Sequence, residues 1–184
     1  MKFILLLSGP IASGKSSVAN ELVASHGFSS VGTGRYLAGL CRENGAESTR
    51  LNLQNLGDDL DIETAFQWPI SVASRAIEQN PKIDNWLLDS VRKPQQVTNF
   101  RGRFGAQVLH VHLYAPEDAL KARYESRIKS DAAYLNSVPY AQAIDHPNEV
   151  ATRGMCFLAD LAFDTDALSS SQITPLIFNY MAGR

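Results

Sequence analysis

Residues 9–16 read Gly9-Pro10-Ile11-Ala12-Ser13-Gly14-Lys15-Ser16, directly after the apolar run Phe3-Ile4-Leu5-Leu6-Leu7 and directly before a helical pattern. A strand must therefore deliver the backbone into a tight turn that opens a helix. The glycines let the chain curl without a Cβ clash, so successive N–H groups converge at the helix N-terminus, where the helix dipole favours an anion. Lys15 adds a mobile positive charge, and Ser16 a hydroxyl of the kind that ligates Mg2+ between the β- and γ-phosphates. Gly9, Pro10, Ile11, Ala12, Ser13, Gly14, Lys15, Ser16 and the adjoining Ser17 thus read as a nucleoside triphosphate site, with ATP and Mg2+ as the expected cofactors.

Around this loop, short apolar runs alternate with amphipathic stretches, the pattern of a parallel sheet covered by helices on both faces. Residues 2–8, 85–89 and 107–114 are the clear strands, and 28–31 and 161–164 bring the expected sheet to five. Helices are predicted over 15–26, 35–43, 62–79, 94–103, 116–129, 147–159 and 172–181. Pro94, Pro116 and Pro147 each suit a first helical turn, where a missing N–H costs nothing. Residues 45–61 and 130–148 follow neither period, and insertions after strand ends are where α/β sheets bind substrate.

The 184 residues with 45% hydrophobic content suit one domain, 1–184, of three-layer α/β/α architecture. A net charge of −2 gives no global pull toward nucleic acid or an anionic membrane, so neither is an expected partner. No stretch approaches the ~20 apolar residues of a membrane helix, and the N-terminal run ends in the loop glycine rather than in a signal-peptide cleavage pattern. Cys41 and Cys156 fit no metal-ligand spacing and read as reduced thiols. A cytoplasmic monomer or homodimer is the expectation.

A phosphate loop alone does not say what happens to the γ-phosphate. The guanine-reading Asn-Lys-x-Asp is absent, and no apolar strand ends in Asp-Glu. What occurs is Asn85-Trp86-Leu87-Leu88-Asp89-Ser90-Val91-Arg92. At a strand end beside the first strand, the Asp89 carboxylate can reach the Mg2+ shell through water, and Arg92 can grip an acceptor phosphate over the sheet. A helix-capping Asp89 and a solvated Arg92 fit the same residues.

With these residues the chain resembles the nucleoside monophosphate kinases, the adenylate-kinase-like branch of the P-loop kinases. The resemblance implies the P-loop kinase fold, with a lid and an acceptor-binding insertion. In that family a strand ends in Asp, followed by Gly-Phe-Pro-Arg whose arginine holds the acceptor phosphate. Asp89 and Arg92 take those places, while the family's Gly and Pro are missing. Thr33-Gly34-Arg35 matches a Thr-Gly-Asp that opens the acceptor helix, with Arg35 in place of the acid and Ala38 in place of an arginine. Arg35 or Arg42 is the compensating candidate. Tyr114-Ala115-Pro116-Glu117, Arg123 and Arg127 match a strand-Pro-helix pattern in which one arginine lies against the donor base and the other contacts its phosphates. Arg153 is the natural third arginine over the transferring group. Residues 35–61 then become the acceptor clamp and 128–150 the lid.

Phosphoryl transfer needs positioning and stabilisation of charge on the equatorial oxygens rather than covalent help. Lys15, Mg2+, Arg92, Arg127 and Arg153 are expected to surround that charge. Tyr36, Phe66 and Trp68 are the aromatics available to stack on a base, and Arg50, Asp58 and Asp59 the residues available to read its edges. His110 and His112 share a strand face without a third ligand and read as structural. The expected activity is ATP-dependent phosphorylation of a small phosphorylated acceptor, a nucleoside or deoxynucleoside monophosphate. The alternatives are a kinase acting on a hydroxyl (small molecule, coenzyme precursor or polynucleotide 5′ end), with Asp89 as base, and an ATP-binding regulatory module.

Overall fold

The computed structural model describes residues 2–130 and 138–183, with the Arg50 side chain outside it. Residues 131–137 of the candidate lid lie outside the described residues. The strands are β1 (Phe3–Ser8), β2 (Phe28–Ser30), β3 (Asn85–Leu88), β4 (Val108–Tyr114) and β5 (Leu161–Asp164). All pair in parallel, in the order β2-β3-β1-β4-β5. The helices are α1 (Lys15–Ser25), α2 (Thr33–Glu43), α3 (Arg50–Glu63), α4 (Trp68–Gln79), α5 (Pro94–Phe104), α6 (Glu117–Ser130), α7 (Tyr140–Ile144), α8 (Pro147–Arg153) and α9 (Ser170–Ala182).

The alternation of side chains along β1 builds the three layers. Leu5 and Leu7 pack with Val18 and Leu22 of α1 and Ile173 and Ile177 of α9. Ile4 and Leu6 point the other way, onto Ile70 and Ala73 of α4 and Val97 and Phe100 of α5. A strand buried on both faces reads as a continuous apolar run, which is how β1 appears in the sequence. Because β1 lies between β3 and β4, the connections leave it in opposite directions, and a crevice opens at its carboxyl end. The phosphate loop occupies that crevice.

The five strands stand where the apolar runs place them, within a residue or so at each end. Three expectations about the helices are corrected. The polar stretch 45–61 is largely helical as α3, capped by Thr49, whose side chain accepts from Asn52 N–H at 3.2 Å. The expected helix over 62–79 breaks at Ala65 and Phe66, whose φ angles of 48° and 63° are left-handed, and α4 restarts at Trp68. The helix over 147–159 also ends early: α8 stops at Arg153 and a 3-10 turn covers Gly154–Leu158.

Candidate active site

Gly9 leaves β1 with φ 150°, and a Cβ there would lie 2.3 Å from Leu113 O of β4, so glycine is needed for the loop to pass the sheet edge. Gly14 then precedes α1 at φ 82°. Lys15 folds back into the loop it follows, and its Nζ donates to Gly9 O at 2.5 Å and Pro10 O at 2.8 Å. Burial lowers its pKa to about 8; the Glu149 carboxylate opposes that shift, Arg92 and Arg127 add to it, and Asp89 opposes it more weakly. Groups from the segment after β3, from α6 and from α8 thus act on one ammonium.

Two cavities adjoin the loop. One, of about 630 Å³, is lined by Ala12, Gly14, Ser17, Arg123, Arg127 and Thr165. The Arg123 guanidinium is fixed across it, donating to Thr165 Oγ1 and Thr165 O at 3.0 Å each and to Asp166 Oδ1 at 3.1 Å. The other, of about 1000 Å³, is lined by Ile11, Thr33, Gly34, Asp58, Trp68, Arg92 and Glu149 among others. Thr33 is held at its wall by a 2.7 Å hydrogen bond with Ser90 Oγ. Trp68 is fixed by donating Nε1 to Asp61 Oδ1 at 2.8 Å, and Tyr36 stacks on it at 6.0 Å. Asp61 also accepts from Gln96 at 3.0 Å, and burial raises its pKa against those two hydrogen bonds.

The sequence-predicted residues divide accordingly. Lys15, Asp89, Arg92 and Arg127 are brought together, and Arg123 lies at the smaller cavity. Thr33, Gly34 and Arg92 line the larger one. Ser16 and Ser17 are exposed on the first turn of α1. Arg35 and Arg42 are exposed on α2 outside that lining, and the Arg35 guanidinium lies over Gly32. Arg153 is tied to the start of α6: its Nη1 donates to Glu117 Oε2 at 2.6 Å and its Nη2 to Tyr140 Oη at 3.3 Å. That pairing holds the Glu117 carboxyl below its usual range, and Tyr140, buried and bonded to Glu117, is pushed up to about 12.

Sequence reasoning missed Glu149. Its Oε2 accepts from the Ile11 N–H of the loop at 2.7 Å. It also missed the ties of α8 to the larger cavity, where Asn148 Nδ2 donates to Asp58 at 3.0 Å and Thr152 Oγ1 to Arg92 O at 3.2 Å. Below the loop, Ser8 Oγ lies 2.7 Å from His110 Nε2 and 2.9 Å from His112 Nδ1. Burial pushes both imidazoles down to about 4. Among the described residues no three His, Cys, Asp or Glu side chains group closely enough to hold a metal ion.

A family model described as an AAA domain matches residues 5–138. No curated protein sequence matches. Solved structures similar over their length include an uncharacterized protein from Eubacterium ventriosum, at 12% identity, TM-score 0.55 and 100% coverage of both chains. The YorR protein of Bacillus subtilis in complex with phosphorylated GDP is 16% identical at TM-score 0.53, covering 97% of this chain and 95% of its own. A sugar kinase from a Janibacter species is 16% identical at TM-score 0.50, covering 99% and 95%. The likeness at these identities is one of fold, the three-layer α/β/α P-loop kinase fold.

Proposed function

Since the chain belongs to the AAA-domain family of P-loop NTPases, we propose that it is an ATP- and Mg2+-dependent kinase acting on a small acceptor, with a nucleoside or deoxynucleoside monophosphate as the first candidate. The observation that carries this reading is the pair of cavities adjoining one phosphate loop, with Lys15, Arg92 and Arg127 gathered beside it. A donor nucleoside fits the smaller cavity against Arg123, whose fixed guanidinium plane offers a stacking face. The acceptor occupies the larger one, against Trp68.

The loop N–H groups and Lys15 hold the donor phosphates, and the convergent arginines stabilise charge that spreads over the transferring group. Magnesium, when bound, neutralises phosphate charge. Ser16 and Asp89 are the residues that would hold it, a small protein share that suits an ion arriving on the nucleotide. Arg92 grips an acceptor phosphate, which is already a competent nucleophile and needs no base. The α7–α8 segment covers the loop: Tyr140 packs with Ile11, Ala12, Leu120 and Tyr124 in one apolar cluster, which helps to keep water from the transfer.

A second reading, a hydroxyl acceptor, is favoured by one observation. Glu149 places a carboxylate at the junction of the loop and the acceptor cavity, where it would repel a phosphate but accept a hydroxyl proton. Incubation with Mg-ATP and a panel of nucleosides, deoxynucleosides, their monophosphates and simple sugars separates the two by the product formed. Lys15→Ala is expected to abolish donor chemistry and Arg92→Ala mainly to raise the acceptor KM. Equal loss of donor binding in both variants counts against the assignment, and ATP binding without transfer to any acceptor points to the regulatory alternative.

A further inference from the structure

The Glu149 carboxylate sits directly against the backbone of the phosphate loop. Its Oε2 takes the Ile11 N–H at 2.7 Å, one of the loop's own backbone donors, and of the charged groups around Lys15 it favours the ammonium most. An oxyanion held by a backbone N–H in a curled glycine loop is the same interaction, charge for charge, that a donor phosphate makes there. Two anions in one nest repel, and only one can be seated at a time.

We propose that Glu149 is an internal anion that occupies the phosphate nest of the ligand-free protein and is expelled by the incoming triphosphate. The proposal rests on the reading of the loop as a triphosphate site. It also makes α8 the moving part. The helix that carries Glu149 carries Asn148, bonded to Asp58 across the acceptor cavity, and Thr152, bonded to the Arg92 carbonyl. His146, which caps α8, lies 2.6 Å from Gln54 of α3 through its Nε2. Expelling Glu149 therefore pulls on the wall of the acceptor cavity and on the segment that presents Arg92, so donor entry resets the acceptor site before the acceptor arrives.

Self-occupancy taxes affinity by the fraction of molecules whose nest is open: a nest filled nine-tenths of the time weakens binding about tenfold. The test is calorimetric titration with inorganic tripolyphosphate and with ATP, both in EDTA so that no metal contributes. Glu149→Gln keeps the shape and removes the charge, Glu149→Ala removes both, and Asp89→Asn is the comparator that removes a carboxylate acting on Lys15 without contact to the loop. Both Glu149 variants are expected to bind each probe about tenfold more tightly than the wild type, with a clearly smaller gain for Asp89→Asn. Glu149 variants that melt like the wild type but gain nothing, or gain no more than Asp89→Asn, overturn the proposal. If neither the wild type nor the Glu149 variants bind either probe, or if Lys15→Ala binds as well as the wild type, the triphosphate reading itself fails and takes the proposal with it.

Discussion

Under the proposed function Lys15 is the residue on which the chemistry turns, and its environment gives a pH signature. In the free protein, burial brings its pKa to about 8. A bound polyphosphate favours the charged ammonium and raises that value, so binding above pH 8 must take up a proton. Donor affinity should therefore be level below about pH 8 and fall as pH rises through it. Titrations in buffers of differing ionisation heat measure the proton uptake directly. Arg153 makes the opposite case. Held by Glu117 and Tyr140 with both ion-pair partners partly exposed, it fastens α8 to the start of α6, and Arg153→Ala should cost about 0.5 kcal/mol of stability. Its kcat should fall far less than that of Arg92→Ala or Arg127→Ala, a comparison that steady-state kinetics settles. Arg92 and Arg127 were legible because motif position and helical spacing place them. Glu149 was not, because a single acid in a helical first turn has a sufficient local explanation in the helix dipole, and only the folded chain brings it to Ile11.

Among the elements, α3 shows where periodicity fails. Its Asn, Asp and Gly residues are weak helix formers, and of its leucines Leu51 is exposed and Leu53, Leu56 and Leu60 only partly buried, because the helix walls a cavity rather than the core. Its existence depends on the Thr49 cap and on packing, for example Gly57 beside Leu37 and Trp68, neither of which is a local signal. The break that follows it, at left-handed Ala65 and Phe66, carries no glycine to announce it. A non-glycine residue there costs about 1–2 kcal/mol, and glycine returns about 0.4–1 of that through the unfolded chain. Exposed Ala65 should accept glycine with a net gain of about 0.5 kcal/mol, read as a rise of roughly 1–2 °C in Tm. The strands, by contrast, were legible almost to the residue, since a doubly covered parallel sheet demands uninterrupted apolar runs and little else does.

For the molecule as a whole, acid should be the weak side. His110 and His112 titrate at about 4 in the folded protein because they are buried, against about 6.5 when unfolded. The unfolded state therefore binds more protons between those values, and stability should drop as pH falls from about 6.5 to 4 and change little further on their account below that. Denaturant midpoints measured across that window should decline, and His112→Gln should flatten the decline. The order β2-β3-β1-β4-β5 draws every group of the site from the carboxyl end of the sheet or the segments that follow its strands. The loop at the switch point is thin enough that Ile11 faces one cavity while its neighbour Ala12 faces the other. On the proposed reading, in which donor and acceptor take one chamber each, a single molecule joining a nucleoside to an acceptor through a phosphate chain would fill both chambers at once. Such a bivalent ligand converts its second contact into an intramolecular one and should outbind either half by orders of magnitude.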